Sequence, residues 1–367
     1  MNKHRYILLF SFAFVILQTS YEILTSIAQG CGLTQIPAPT DLRLVDIDSQ
    51  VPVQKDLLGI SLPGDFSLFS PDSPWNTPVS SDAKLHPNST SMINLVVKAT
   101  PELKMSIVNW TTPMFVINSA ASPKRQVSNP AEPLHPSVDP DSNGVAENIP
   151  LPDGIWPDPQ TDGHMLLVDP KACKSWELSR AVRLNDGNWQ ATRVAVWDLD
   201  GPGYDPAFNG PYWWMRGARG SGAPLAAGLI RPEEIQQGEI RHALSFAAVN
   251  IRKSTSSTGS PRELCSPVAS RTDGSDLGAD YMPMGIRIQL DPALDLDGLG
   301  LSSASKIVAK AMQVYGMFLV DGSSTLKIYL QNLGQDRGKW KDIGNFDDLS
   351  LIPVNRFRVL DCSIATK

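Results

Sequence analysis

The stretch Asp162-Gly163-His164-Met165-Leu166-Leu167-Val168 carries a short apolar run that begins after a glycine and is followed by Asp169-Pro170. Short runs of apolar, β-branched or aromatic residues bounded by Gly, Pro, Asp or Asn are typical of β-strands. The same signal recurs along the chain. It predicts strands at residues 92–97, 115–118, 164–168, 193–197, 240–246, 285–290, 317–320, 326–330 and 356–360.

Only two segments have a helical pattern. Residues 232–237 begin with Pro232, carry two acidic residues near the N-terminus and end at Gly238. Residues 303–315 combine a serine cap with an apolar stripe and end at Gly316. Many strands with few helices predict a mainly β fold, arranged as a two-sheet sandwich or jelly roll.

The N-terminus has the pattern of an export signal. A basic start at residues 3–5 precedes an apolar run at 6–17, which is too short to span a bilayer. Small residues at Ser26 and Ala28 predict a signal peptide over residues 1–28 and a mature start at Gln29. The alternative is a lipoprotein anchored at Cys31, although Ala28 stands where a leucine is usual in that motif.

Beyond the signal peptide, we expect an N-terminal extension at 29–70 and one β-rich domain at 71–367. That domain contains a long proline-rich loop at 119–160, where neither helical nor strand periodicity is visible. The net charge of the chain is −6, and removing residues 1–28, which carry +1, leaves about −7. An acidic chain without basic blocks argues against nucleic acid or an anionic membrane surface as partner.

The four cysteines contain no CxxC pair, which argues against a zinc ribbon or a thioredoxin-type motif. In an exported protein their even number predicts two disulfides, and the sequence leaves three connectivities open. These cysteines are Cys31, Cys173, Cys265 and Cys362. The chain also lacks a GxSxG elbow, a Walker loop, an HExxH motif and a dinucleotide fingerprint, and the glycines of 217–222 fit a flexible turn.

Two histidines lie inside strand-like runs. Strand alternation places Asp162 on the face of His164, and it places His242 with Leu244 and Phe246. One interpretation is a pair of hydrogen-bonded core histidines. The other is that a concave sheet face presents both as acid/base groups or metal ligands.

Carboxylates offer a second source of chemistry. Asp198 and Asp200 share one strand face, a spacing that suits a paired-acid or a cation site, but the following Gly201-Pro202-Gly203 also fits a simple turn. Arg287 lies opposite the apolar residues of its own run. It is therefore predicted to line a polar groove, although an exposed sheet face has the same pattern.

An aromatic cluster gives the chain a candidate sugar-binding surface. Tyr212, Trp213 and Trp214 lie in a Gly/Pro/Asn-rich stretch and are followed by Arg216 and Arg219. Exposed rings beside guanidinium groups stack on sugars and bind their hydroxyls or carboxylates. Rings buried to anchor an irregular loop are the alternative.

Several segments resemble stretches of secreted, uncharacterised proteins of soil bacteria. The resemblance extends over most of residues 71–361, and some of those relatives are joined to sugar-binding modules. It implies an extracellular, glycan-directed role and supplies no catalytic residues. The segments that carry it are Asp162-Gly163-His164-Met165, residues 228–234, residues 238–244, Pro283-Met284-Gly285 and Tyr315-Gly316-Met317.

The leading hypothesis is a secreted enzyme that cleaves a polysaccharide or oligosaccharide by hydrolysis or elimination, without a required cofactor. The histidines would be the acid/base groups, and hydrolysis would instead use an acidic pair such as Asp198 or Asp200 with Glu239. The candidate catalytic residues are thus His164, His242, Asp162, Glu239, Asp198, Asp200 and Arg287. The alternatives are a non-catalytic glycan-binding surface protein and a cupin-like enzyme that holds a divalent metal through both histidines.

Overall fold

The computed structural model describes residues 62–205, 216–253, 264–265, 267–334 and 338–362. Over these ranges the protein is mainly β, as predicted, with fourteen strands and four helices. The helices are α1 (Ser89–Ala99), α2 (Pro232–Gln237), α3 (Ser303–Val314) and α4 (Gly338–Lys341). The strands are β1 (Lys104–Ser106), β2 (Met114–Val116), β3 (Lys124–Ser128), β4 (Val145–Pro150), β5 (Met165–Asp169), β6 (Lys174–Ser179), β7 (Val182–Arg183), β8 (Trp189–Gln190), β9 (Arg193–Asp198), β10 (Leu244–Ala248), β11 (Arg287–Leu290), β12 (Met317–Gly322), β13 (Lys327–Tyr329) and β14 (Phe357–Val359).

The strands form three sheets, whereas the sequence predicted two. The first sheet has the order β1-β13-β10-β12-β11-β14, the second β2-β5-β6-β9 and the third β4-β3-β8-β7. Strand β5 shows how they stack, because both of its faces are buried. Leu166 packs in one cluster with Val320 of the first sheet, and Leu167 packs in another with Trp189 of the third sheet. The second sheet is therefore a middle layer.

Helices α1 and α3 pack on the first sheet. Met92 of α1 and Ile307 of α3 belong to the same buried cluster as Phe246 and Leu319 of that sheet. The cluster containing Leu166 and Val320 is separate from it. The first sheet thus contributes to a helix-covered core and to a core shared with the second sheet.

The prediction of a strand at 92–97 is wrong, because these residues lie within α1. Met92, Ile93 and Val96 are buried at helical spacing and form one stripe of α1. Ser89 at the start of α1 links the helix to β14, because its Oγ accepts a hydrogen bond of 2.8 Å from the backbone N–H of Val359. The β-branched residues suggested a strand, and packing against the sheet overrides that weak preference.

The segment 119–160, predicted to be without strands, contains β3 and β4. These strands pair antiparallel, and Val127 faces Ala146 in their fully buried centre. The register of the pair shifts between Arg125 and Val127. Such an irregularity interrupts the two-residue alternation from which strands are recognised in a sequence.

The strand predicted at 240–246 begins only at Leu244. Residues 240–243 connect the end of α2 at Gly238 to β10, and the Ala243 N–H donates to the Trp75 carbonyl at 2.7 Å. His242 therefore precedes the strand. The prediction that it shares a strand face with Leu244 and Phe246 is wrong.

The cysteines are oxidised in the part of the chain that the structure describes. Cys265 and Cys362 form a disulfide that joins the segment after β10 to the chain end beyond β14. Cys173 is disulfide-bonded as well. Over the same described residues, no helix has the length and apolarity that a membrane span requires.

Candidate functional site

A cleft of about 1150 Å³ opens where the first and second sheets meet. The first sheet contributes β1, β13 and the end of β12 to its walls, together with the turn 107–110 that follows β1. The second sheet contributes the residues before β5, the end of β6 and the start of β9. The cleft thus collects side chains from segments that are far apart in sequence.

Asp321, in β12, is the most heavily hydrogen-bonded carboxylate of this cleft. Its Oδ2 accepts hydrogen bonds from Arg219 Nη1 and from the Tyr329 hydroxyl, both at 3.0 Å. Its Oδ1 accepts one from the Gly220 N–H at 2.5 Å. These donors orient the carboxylate and stabilise its negative charge, while the side chain keeps 14% exposure to the cleft.

Arg219 and Tyr329, the two side chains that donate to Asp321, also contact each other. The Arg219 guanidinium is 1% exposed and lies 4.0 Å from the centroid of the Tyr329 ring. Burial, followed by the nearby charge of Asp321, raises the pKa of Tyr329 well above its ordinary value. The sequence predicted that Arg219 binds sugar. The structure places it at the cleft, with its guanidinium engaged by Asp321.

Two side chains, the half-buried Arg271 and the buried Glu177, hold the loop that carries Arg219. Arg271 donates to the carbonyls of Arg216, Gly217 and Arg219 at 2.6–2.7 Å. Glu177 of β6 accepts from the Ala218 N–H at 2.8 Å. The loop therefore presents its backbone to Asp321 in a defined orientation.

Asp162 is a second carboxyl group of the cleft and lies just before β5. Burial, followed by the negative charge of Asp321, raises its pKa, whereas Arg219 and Lys327 oppose the shift. Among the described residues its carboxyl group has no hydrogen-bond partner. Asp162 therefore holds a proton more readily than an ordinary aspartate and is free to interact with a ligand.

Gly163, which follows Asp162, has a backbone conformation that only glycine adopts easily. Its φ of +46° is left-handed, and a Cβ there would lie 2.9 Å from the Arg180 Cα. Only glycine fits such a position without strain. The backbone pairs around it, because the Arg180 N–H donates to the Asp162 carbonyl at 2.7 Å.

His164 lines the cleft beside Asp162, so the structure brings these two predicted residues together. Burial and the positive charge of Arg219 lower the pKa of His164 to about 4, against the opposing effect of Asp321. The imidazole is consequently neutral at ordinary pH. A weak base of this kind suits hydrogen bonding to a ligand better than proton abstraction.

Asp273 is a third carboxyl group at the cleft. Its Oδ2 accepts from the Gly322 N–H at 3.0 Å, and burial, followed by the charge of Asp321, raises its pKa. It lies against the loop of Arg219, since a Cβ on Gly220 would be 2.4 Å from its Oδ2. The carboxyl group of Asp273, unlike that of Asp162, is thus already bonded to the backbone.

Trp110 places an exposed aromatic ring at the cleft, in the turn after β1. The residue is 39% exposed, and its φ of +58° is left-handed, which is unusual for an aromatic residue. The Lys327 Nζ lies 5.9 Å from the ring centroid. Strained backbone that holds an exposed ring beside a polar cleft is a feature of binding sites.

Asp158 is a buried carboxyl group next to the turn after β1 that carries Trp110. Burial raises its pKa to about 6, backbone N–H groups of Gln160, Thr111 and Trp110 oppose the shift, and Asp162 adds to it. The buried carboxyl group therefore interacts with the backbone of the Trp110 turn. The sequence interpretation missed both residues, although the polar surroundings of Asn109-Trp110-Thr111-Thr112 were a signal that this tryptophan is not a core residue.

No family model, curated protein or solved structure matches this chain. The resemblance to secreted proteins of soil bacteria therefore stays an expectation from the sequence.

His242 does not line the cleft. Its Nε2 lies 2.9 Å from Glu234 Oε1, and its Nδ1 lies 2.9 Å from the Ala243 carbonyl oxygen. Glu234 also accepts from Arg231 Nη2 at 2.9 Å, in a cluster where Arg231 and Glu234 are fully buried. This placement matches the interpretation of His242 as a hydrogen-bonded core histidine.

The other predicted acids also lie outside the cleft. Glu239 forms an ion pair with Arg241. Asp198 pairs with Lys174 at 2.6 Å on the surface, and its carbonyl accepts from Gly201 N–H in a turn. Asp200, in the same turn, is exposed.

The remaining predicted residues divide between structural contacts and undescribed sequence. Arg287 donates to the Tyr315 carbonyl at 2.8 Å and to the Thr77 carbonyl at 2.6 Å, so it lies away from the cleft. Arg216 pairs with Asp205 at 3.2 Å and lies outside the cleft lining. Three predicted aromatic residues lie outside the described residues, as do Cys31 and residues 1–28, for which a signal peptide was predicted. The three are Tyr212, Trp213 and Trp214.

The described part of the chain contains no group of three His, Cys, Asp or Glu side chains arranged to hold a metal ion. The cupin-like hypothesis required both His164 and His242. Of these two, only His164 lines the cleft. His242 lies elsewhere, where its imidazole forms a hydrogen bond with Glu234.

Proposed function

We propose that this protein is an exported glycoside hydrolase and that the cleft binds and cleaves a polysaccharide. The observation that carries the proposal is the pair Asp321 and Asp162, two carboxyl groups of one cleft in opposite environments. Donors stabilise the charge of Asp321, whereas burial and Asp321 itself raise the pKa of Asp162. The hydrogen-bonded carboxylate of Asp321 suits the base or nucleophile, and Asp162, with its raised pKa and no hydrogen-bond partner for its carboxyl group among the described residues, suits the acid.

In this mechanism Asp162 is the general acid. It donates its proton to the glycosidic oxygen as the bond to the anomeric carbon breaks. Asp321 either attacks the anomeric carbon and forms a glycosyl ester that water then hydrolyses, or it activates a water molecule that attacks that carbon directly. Water supplies a hydroxyl group to the anomeric carbon, and its other proton returns to the carboxylate pair.

The surroundings favour hydrolysis over elimination. Elimination next to a uronic carboxylate requires a base that removes a carbon-bound proton. His164, with a pKa of about 4, is a weak base, and Tyr329 has a raised pKa and donates its hydroxyl proton to Asp321.

The size and rim of the cleft suit a chain of sugars. A volume of about 1150 Å³ accommodates several sugar units, and its walls are mostly polar. The exposed ring of Trp110 provides a flat surface on which a sugar ring stacks. Disulfide-bonded cysteines are typical of proteins exported to an oxidising compartment, which supports an extracellular role.

The test is mass spectrometry of products after incubating the purified protein with neutral and acidic polysaccharides. Hydrolysis predicts oligosaccharides at the mass that includes one added water. Products lighter by one water, with a new double bond, would identify a lyase instead. Saturable binding without any product would identify a glycan-binding protein.

Substitutions locate the reaction in the cleft. Asp162→Asn and Asp321→Asn are each expected to lower kcat by about 10²–10⁴-fold, because each removes one member of the acid/base pair. Asp200→Asn is the matched control, since Asp200 is exposed in a turn outside the cleft. Equal activity of all three variants would refute the assignment.

A further inference from the structure

Three basic side chains of the cleft form no hydrogen bond or ion pair with Asp162 or Asp321, the proposed acid/base pair. Lys104 and Lys327 are Cα partners in the parallel pairing of β1 with β13, and both line the cleft. Adjacent strands are about 4.8 Å apart, and like charges directly opposite each other destabilise a sheet. An arrangement that costs stability in the free protein is explained when a ligand neutralises it.

The third basic side chain is Arg180, which directly follows β6. It is exposed, lines the same cleft, and its φ of +51° is left-handed. Lys104, Lys327 and Arg180 form no ion pair with any of the described residues. Other cations of the cleft are engaged, since Arg193 pairs with Glu132 at 2.8 Å and Arg219 pairs with Asp321.

The charge of the cleft contrasts with that of the protein. Six basic and four acidic side chains line it, whereas the whole chain carries a net charge of −6. Burial lowers the pKa of Lys327, which means that its charge is poorly solvated.

We infer that the cleft selects polysaccharides that carry anionic groups, and that Lys104, Lys327 and Arg180 bind a carboxylate or sulfate of the sugar beside Trp110. The inference rests on the proposed function, because it assigns the substrate class of the same cleft. Lys327 connects the two parts of this subsite, since its Nζ lies 5.9 Å from the Trp110 ring centroid. A sugar ring stacked on Trp110 thus has its substituents within reach of a cation.

The experiment is calorimetric titration of the Asp162→Asn variant, in which turnover is expected to be slowed, with three oligosaccharides of equal length: a uronate oligomer, a sulfated oligomer and a neutral one. We expect the anionic oligomers to bind at least about tenfold more tightly than the neutral one at low salt, with the difference falling at high salt. The comparison of uronate with sulfate identifies which anion is preferred. Equal or tighter binding of the neutral oligomer would overturn the inference.

Lys104→Gln and Lys327→Gln are each expected to weaken anionic binding by about tenfold and to leave neutral binding unchanged. Lys98→Gln is the matched control, because Lys98 is exposed on α1 and does not line the cleft. Lys104 and Lys327 are like charges that face each other, so removing either one should also raise the melting temperature of the free protein. A raised melting temperature shows that weaker binding is not caused by misfolding. Anionic binding that survives both lysine substitutions would overturn the inference.

Failure of the inference and failure of the proposed function are distinguishable, because binding is measured without turnover. Anionic oligomers that bind but are never cleaved would refute hydrolysis and leave the anionic subsite standing. Cleavage confined to neutral polysaccharides would refute the anionic subsite and leave hydrolysis standing.

Discussion

The buried cluster of Arg231, Glu234 and His242 allows a stability prediction with a magnitude. Burial opposes the charge of Glu234, but the charges of Arg231 and His242 and their hydrogen bonds outweigh it and lower its pKa to about 2. Because the folded pKa lies below the value of 4.5 for an ordinary glutamate, the cluster stabilises the fold above pH 4.5. That contribution is lost as the pH falls towards 2.

Glu234→Gln removes the carboxylate and leaves the guanidinium of Arg231, which is 1% exposed, without its charged partner. Breaking a buried ion pair on one side costs about 3–5 kcal/mol of unfolding free energy. The lowered pKa gives a similar figure, because the difference between about 2 and the ordinary value of 4.5 corresponds to about 3 kcal/mol. For a domain of this size the expected loss of melting temperature is on the order of 10 °C.

Urea unfolding between pH 7 and pH 2 measures this effect. The unfolding free energy of the wild type should fall by about 3 kcal/mol more than that of Glu234→Gln over the acidic range. Glu102→Gln is the control, because Glu102 is exposed, and it should change stability by less than about 0.5 kcal/mol. A loss below about 1 kcal/mol for Glu234→Gln at pH 7 would refute the assigned role of the cluster.

His242→Gln should lower stability and retain polysaccharide cleavage at temperatures where the variant is folded, whereas loss of activity in the folded variant would return His242 to the site. Lys327→Gln should raise the pKa of Asp162, because Lys327 opposes that shift, so the alkaline limb of kcat should move to higher pH by up to about one unit; an unchanged limb would contradict Asp162 as the acid. Replacing Cys265 and Cys362 together by serine opens a connection across 97 residues and should cost about 5 kcal/mol in urea unfolding, and an equal stability of both forms would contradict this.

Local sequence patterns were sufficient to predict the mainly β character and the two helices α2 and α3. In α3, Ser302 caps the N-terminus by accepting from the Ser305 N–H, and Gly316 adopts a φ of +66° just after the helix. Residue Gly238, with a φ of +92°, ends α2 in the same way. Caps and left-handed glycines act within a few residues, so they are visible in the sequence.

Part of the candidate site was predictable for the same reason. Asp162 and His164 are two residues apart and precede a recognisable strand, and both line the cleft. The segment 92–97 shows the limit of such local reasoning. Its β-branched residues indicate a strand, and only packing on the sheet makes it part of α1.

The centre of the cleft was decided by tertiary structure alone. In the sequence, Asp321 is an acid at the end of a strand and looks like the start of a turn. It becomes a supported carboxylate because Arg219, 102 residues away, and Tyr329 of a neighbouring strand meet it. Conversely, His242 forms a hydrogen bond with Glu234, and Arg287 donates hydrogen bonds to backbone carbonyls, so neither residue reaches the cleft. The chemistry of an ionisable side chain depends on its burial and on the charges near it in space, which strand pairing and sheet stacking determine.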